Sequence, residues 1–296
     1  MSHQQSFFLL GEKGQHQFHS SFARKGHHQS SSFLWREGNQ KSPSPLGGPA
    51  YRTGREGRGE GYSKSKKLIV LADFDGTITK KDVCYLLLER YAQFYWQGLD
   101  REWIEGKIST EDAYRELLKR IDIKKEEFDR FIDSIEIDED FKRFFIECKK
   151  NNVGVEVVSD GLDYYIKRIF EREGLGEIPF YSNGLKFKGN EMILRFKKEY
   201  HEICPRKKNP CGFCKKTIVD AKKKEGYKVI FIGDGPSDRC PASEADVVFA
   251  KGFLKSYCEE NKILFYEFKD FKDVLKIMSK IPNLILNSKR TPNSIL

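Results

Sequence analysis

The chain has 296 residues, enough for one large domain or two small ones, and carries 53 Lys+Arg against 44 Asp+Glu for a formal net charge of +9. No run approaches the roughly 20 apolar residues a membrane span needs. The charge does not describe a nucleic-acid surface on the folded part: residues 1–67 hold 11 Lys/Arg and 4 Asp/Glu, and the remainder is nearly balanced at +2.

Residues 1–66 differ from the rest in composition. They contain no Ile, Val, Asp or Cys, carry five of the six histidines, and are rich in Ser, Gly and Gln. Nothing in them repeats with a period that could build a core, so a disordered basic tail is expected. Phe7-Phe8-Leu9-Leu10 is too short for the hydrophobic region of a signal peptide. Seven cysteines, an odd number, are scattered over 84–258. With no secretion signal, reduced thiols and a cytoplasmic location are the expectation.

Lys67 to Phe74 is an apolar run ending in acidic residues, the pattern of a buried parallel strand with polar chemistry at its carboxyl end. Residues 80–135 are helical in pattern, with a helix start at Ser109-Thr110-Glu111-Asp112. A helix is expected over about 138–150. Val153–Ser159 is a second strand, followed by a helix over 161–173. Residues 178–200 hold Asn183-Gly184 and Gly189-Asn190 turn signals between alternating residues, which suggests a small β-hairpin extension. Helix 214–225, strand Val229–Asp234, helix 236–245, strand Asp246–Ala250, helix 252–260, strand Ile263–Tyr266 and helix 268–279 complete the chain.

Strand and helix alternating in this way indicate an α/β fold with an open, mostly parallel sheet. Ligands of such sheets sit outside the carboxyl ends of the strands. Three strands end in polar residues at that edge: Asp73/Asp75, Ser159/Asp160 and Asp234.

Two carboxylates two residues apart at the end of a buried strand are costly, because both must be desolvated beside a like charge. A divalent cation relieves that cost, and oxygen ligands of this kind suit Mg²⁺. Gly76 permits a turn and Thr77 adds a hydroxyl. Asp234 offers another metal carboxylate, and Asp238 a second acid one turn on. Ser159 can hold a phosphoryl oxygen. Lys215, opening a helix, can neutralise phosphate charge.

Taken in order, Asp73-Phe74-Asp75-Gly76-Thr77, Ser159, Lys215, and Gly233-Asp234-Gly235 with Asp238 resemble the four motifs of the haloacid dehalogenase superfamily of phosphatases, over about 67–280. Within it the chain resembles the phosphoserine-phosphatase-like subgroup, including 2-hydroxy-3-keto-5-methylthiopentenyl-1-phosphate phosphatases, through Val158-Ser159-Asp160-Gly161, Cys211-Gly212-Phe213-Cys214-Lys215, and Asp238 with Cys240. The resemblance implies a Rossmann-like parallel sheet as the core (67–79 and 146–281), a small helical cap inserted after the first strand (80–145), and a C-terminal tail (282–296). It implies Asp73 as nucleophile, Asp75 as acid/base, and Ser159 and Lys215 on the phosphoryl oxygens. Mg²⁺ would be held by Asp73, the backbone carbonyl of Asp75, and Asp234. Thr77, Gly161, Gly235 and Asp238 would support, Asp238 by orienting Lys215 or a metal-bound water. Lys216 is an alternative to Lys215, although the family pattern puts the lysine directly after the second Cys.

The activity so implied is hydrolysis of a small-metabolite phosphomonoester through an aspartyl-phosphate. Phosphoserine hydrolysis, phosphoryl transfer to another alcohol, and a non-catalytic binding protein are the alternatives. Lys80-Lys81-Asp82 stands where phosphoserine phosphatases carry an acidic pair. The expected partner is a small phosphorylated metabolite, without membrane or nucleic acid, and a homodimer is the assembly allowed for.

His201, Cys204, Cys211 and Cys214 have the ligand types of a zinc site, and Cys-x-x-Cys is a usual half-site. Against that, the His201–Cys204 spacing belongs to no standard finger, and reduced structural thiols are the default. Tyr91, Phe94, Tyr95, Trp96 and Trp103 read as the core of the helical block before they read as a leaving-group pocket.

Overall fold

The computed structural model describes residues 67–91, 96–197 and 204–281. The tails expected at 1–66 and 282–296, together with Phe94, Tyr95, the Trp96 side chain and His201, lie outside the described residues.

Among the described residues, seven strands form one sheet: β1 (Leu68–Ala72), β2 (Gly154–Leu162), β3 (Phe180–Lys188), β4 (Glu191–Arg195), β5 (Lys228–Gly233), β6 (Val247–Ala250) and β7 (Tyr266–Glu267). Their spatial order is β4-β3-β2-β1-β5-β6-β7. All neighbours are parallel except β3 and β4. The chain runs outward from β1 through β2 and β3, then returns to place β5 on the other side of β1. The order therefore reverses at β1, and a crevice opens outside its carboxyl end.

Alternation along β1 explains the two cores. Val70 and Ala72 face α5 (Phe141–Lys150), α6 (Asp163–Glu173) and α10 (Phe271–Met278), where Phe141, Phe144, Phe170 and Phe271 are packed. Ile69 and Leu71 face the other way, onto Val219 of α7 (Lys215–Lys224) and Leu254 of α9 (Gly252–Glu260). Each fully buried side chain of this size contributes about 1.5–3 kcal/mol of transfer free energy.

The insertion after β1 holds α1 (Val83–Tyr91), α2 (Trp96–Ile104), α3 (Thr110–Leu118) and α4 (Lys125–Asp133). Its two ends meet: the Lys80 amide donates to the Glu136 carbonyl at 3.0 Å and the Asp138 amide to the Ile78 carbonyl at 2.8 Å. The expected helix start is a capping box. Ser109 Oγ accepts from the Asp112 amide at 3.0 Å, and Asp112 accepts from the Ser109 amide at 3.3 Å. Tyr91 packs edge-on against Phe131, and Trp103 lies under Arg206, so both aromatics serve packing.

Several boundaries differ from those expected. The hairpin at 178–200 is more than an extension, because β3 pairs with β2 and joins the main sheet. β2 runs on to Leu162 after a register irregularity between Val158 and Leu162, so α6 starts at Asp163. The helix expected over 236–245 divides into a 3-10 turn at Pro236–Asp238 and α8 (Arg239–Glu244). The strand expected at Ile263 starts at Tyr266, because the Ile263 amide donates to the Cys258 carbonyl at 2.9 Å and closes α9.

Candidate active site

The ladder reaches one residue past β1: the Asp73 amide donates to the Ile232 carbonyl at 2.8 Å. The chain then folds back on itself, with the Phe74 carbonyl accepting from the amides of Ile78 (2.9 Å) and Thr79 (3.0 Å). Gly76 makes this turn at φ 75°, and a Cβ there would stand 2.5 Å from Asp234 Oδ2. Thr77 Oγ1 donates to Asp234 Oδ1, which ties the ends of β1 and β5 together.

Asp73 Oδ1 accepts from the Phe74 amide at 2.7 Å and faces Lys215 Nζ at 2.7 Å. The same ammonium donates to Asp238 Oδ1 at 2.7 Å. Asp238 Oδ2 accepts from the amides of Asp234 (3.0 Å) and Gly235 (2.9 Å), so both its oxygens are engaged. Among the described residues, Asp73 Oδ2 and Asp234 Oδ2 take part in no hydrogen bond. Burial works to lower the Lys215 pKa, but the Asp238 and Asp73 charges outweigh it, and Lys215 is held cationic. Lys216 is turned elsewhere, 3.0 Å from both Asp220 and Glu244.

Asp73, Asp234 and Asp238 each place a carboxylate oxygen within 4.8 Å of the others. Burial, with Asp238 next, holds Asp73 well above the usual carboxylate range, against the pull of Lys215. Burial and then Asp238 push Asp234 up to about 7. Such a set of hard oxygens, carrying more like charge than one lysine neutralises, has the chemistry of a divalent-cation site.

Asp75 has a different setting. Its Oδ2 accepts from Tyr165 Oη at 2.6 Å and Ser159 Oγ at 3.2 Å, and its Oδ1 from the Val83 amide at 3.2 Å. Ser159 Oγ in turn accepts from the Gly161 amide at 2.9 Å. Burial, followed by the Asp82 charge, pushes Asp75 up to about 7 against the opposing Tyr165 hydroxyl. Gly161 leaves the space that this cluster needs: a Cβ there would lie 1.8 Å from Tyr165 Oη and 2.4 Å from Asp75 Oδ2.

Asp73, Asp75, Ser159, Lys215 and Asp234 thus meet at the switch point, with Thr77, Gly161, Gly235 and Asp238 supporting them. Tyr165 is a residue that sequence reasoning missed, and Asp160, placed by sequence at the strand end, had no role assigned to it. Asp160 accepts from Thr110 Oγ1 of α3 at 2.9 Å, and from the Phe213 amide at 2.7 Å. It thereby links the helical insertion to the loop that delivers Lys215. A signal was present: Asp160 follows Ser159 at the strand end, and Tyr165 lies about one helical turn after Gly161.

The haloacid dehalogenase-like hydrolase family matches residues 70–242. A 2-hydroxy-3-keto-5-methylthiopentenyl-1-phosphate phosphatase of Brevibacillus brevis is 29% identical over 219 residues, covering 73% of this chain and 97% of that protein. A protein of the same name from Lysinibacillus sphaericus is 30% identical over 221 residues, covering 73% of this chain and 95% of its own. Among solved structures, a phospho-aspartyl intermediate analogue of phosphoserine phosphatase superposes with a TM-score of 0.56 at 23% identity, covering 72% of this chain and 99% of its own, which bears on the fold. With the parallel sheet, the strand-end aspartates and the helix-borne lysine in the same places as the four motifs demand, the chain belongs to the haloacid dehalogenase-like hydrolases.

Proposed function

We propose that the chain is a Mg²⁺-dependent phosphatase that hydrolyses a small-metabolite phosphomonoester through an aspartyl-phosphate on Asp73. The observation that carries this reading is the contrast between two carboxylates two residues apart. Asp73 faces an ammonium at 2.7 Å, whereas Asp75 faces two hydroxyls and sits at about 7. The ammonium beside Asp73, joined by a bound divalent cation, would oppose the burial that raises its pKa and keep it ionised for attack, whereas Asp75 has no such cation partner among the described residues and carries a proton at neutral pH.

In the first step an Asp73 oxygen attacks phosphorus, the bond to the leaving oxygen breaks, and Asp75 gives that oxygen its proton. In the second, Asp75 takes a proton from water as the water oxygen attacks phosphorus, and the bond to Asp73 breaks to release phosphate. Lys215 and Ser159 steady the phosphoryl oxygens, and Asp238 keeps Lys215 aimed. Asp73, Asp234 and the Asp75 carbonyl would hold Mg²⁺, which when bound would neutralise phosphoryl charge.

The helical insertion of α1 to α4 acts as the cap on the sheet-bearing core and selects the leaving group. The names of the curated relatives favour 2-hydroxy-3-keto-5-methylthiopentenyl-1-phosphate as substrate. Lys80 pairs with Glu136 at 3.1 Å and Glu139 at 2.9 Å at the base of the insertion, while Asp82 acts on both Asp75 and Asp100, so acidic groups do stand beside the site and the preference rests on the relatives' names. The reduced thiols expected of this chain are the basis for placing it in the cytoplasm.

The test is phosphate release from a panel of phosphorylated metabolites that includes both compounds, with added acceptor alcohols to reveal transfer. Asp73→Asn abolishes release, and EDTA does so until excess Mg²⁺ is restored. Activity retained by Asp73→Asn rejects the mechanism.

A further inference from the structure

Four cysteines from three stretches of chain line one small cavity beside, but separate from, the acidic cluster. Cys204 comes from the loop after β4, Cys211 and Cys214 from the end of that loop, and Cys240 from the first turn of α8. The cavity measures about 20 Å³, room for a single atom-sized guest. The thiols feel one another: Cys240 and Cys204 both act on Cys211, and Cys204 and Cys214 both act on Cys240. Cys240 follows Cys214 by 26 residues and enters the set only through the fold.

We propose that Cys204, Cys211, Cys214 and Cys240 bind one structural Zn²⁺ as a four-thiolate site. Three observations support it. Cys211-Gly212-Phe213-Cys214 supplies the usual half-site spacing, and the other two cysteines complete a tetrahedral complement. Cationic side chains reach the site beside the Asp160 charge: Lys215 and Lys216 line the same cavity, and Arg206 acts on Cys211. Arg206 also carries a buried Nη1 without a hydrogen-bond partner, while its Nε and Nη2 donate to the Asn209 and Ile108 carbonyls at 3.3 and 3.0 Å. A thiolate next to it is the acceptor this donor lacks.

On binding, four S–H protons pass to solvent, four Zn–S bonds form, and the site is left with two net negative charges, with the Arg206 charge acting on Cys211. Burial, followed by Asp160, pushes the Cys211 thiol up to about 12, a cost that forming the Zn–S bond must offset. No three of the sulfurs lie within 4.8 Å of one another among the described residues, so binding must draw them inward.

The consequence is mechanical. Lys215 directly follows Cys214, and Asp238 lies two residues before Cys240. A zinc ion here staples the loop that delivers the lysine to the helix start that aims it. The same loop holds the insertion, through the Thr110 amide to the Pro210 carbonyl at 3.1 Å and Asn209 Nδ2 to the Gly106 carbonyl at 3.0 Å.

The experiment is metal analysis of the full chain purified without chelator from zinc-supplemented cells, with Co²⁺ exchanged into the wild type. About one zinc per chain is expected, and a thiolate-to-cobalt charge-transfer band that needs no variant to fold. Cys211→Ala and Cys240→Ala each lower zinc content roughly tenfold or more, while Cys148→Ala, in the core on the other face of the sheet, and Asp234→Asn, in the acidic cluster, keep it. Zinc-free wild type whose four thiols react freely or pair as disulfides overturns the proposal. So does zinc that survives Cys240→Ala, or that leaves with Asp234→Asn.

Discussion

Replacing Gly161 by alanine adds one methyl group at the most crowded point of the site. Its Cβ would stand 1.8 Å from Tyr165 Oη and 2.4 Å from Asp75 Oδ2, where contacts below 3.0 Å are essentially never seen. The hydroxyl must therefore retreat by about 1.2 Å and the carboxylate by about 0.6 Å. The tyrosine has little room to do so, since its ring is 2% exposed and packs 6.0 Å from that of Phe74. The 2.6 Å bond between them is lost, and a hydrogen bond to a charged group contributes about 1.5–3 kcal/mol. Displacing an acid/base group by about 1 Å costs on the order of 10²-fold in rate. The backbone itself is not strained by the change, because Gly161 is not among the positive-φ glycines. We therefore expect Gly161→Ala to lower kcat about 100-fold, close to 2.7 kcal/mol, with KM nearly unchanged. The assay is continuous phosphate release at saturating Mg²⁺ with the best substrate of the panel. Adding Tyr165→Phe removes the oxygen that clashes hardest, so the double variant recovers part of the loss, a non-additivity expected of touching residues. A kcat within about threefold of wild type in Gly161→Ala would refute the reasoning, since the predicted displacement is too large to be that cheap.

Tyr165→Phe alone removes a donor that favours ionised Asp75, so it raises the Asp75 pKa further above about 7. The alkaline limb of the pH–rate profile, which reports loss of the proton donor, moves to higher pH, and a profile identical to wild type would contradict this. Asp75 and Asp234 both sit at about 7 in the fold against an ordinary 3.8, so without divalent cation the folded chain holds protons that the unfolded chain has released. Their contribution is full below about pH 4 and is lost as pH rises through about 7. The gain in Tm on adding Mg²⁺ is therefore larger at pH 8 than at pH 5, as scanning calorimetry at both pH values would show, and an equal gain would count against the cluster as the cation site. Asp238→Asn strips the fully buried Lys215 of one of its two counter-charges. Breaking a buried pair from one side costs about 3–5 kcal/mol, which urea denaturation would measure, and a loss below about 1 kcal/mol would mean that Asp73 alone suffices.

What sequence by itself determined was whatever depends on near neighbours. Apolar runs ending in acids located β1, β2 and β5, because a buried parallel strand must be apolar throughout and can turn polar only where it leaves the sheet. The Ser109/Asp112 box and the turn at Gly76 were legible for the same reason: their partners lie three or four residues apart. Tertiary structure decided which side chains meet. The family pattern favours Lys215 over Lys216, and the physical reason lies in the fold, where the two are separated by about 100° around a helix axis. The packing of Val219 against the sheet sets that rotation and turns Lys215 onto Asp73. The same is true of Tyr165 on Asp75, 90 residues apart, and of Cys240 beside the Cys211/Cys214 half-site. No local period records such encounters, because they depend on how two elements, each correct on its own, are turned toward each other when the core closes.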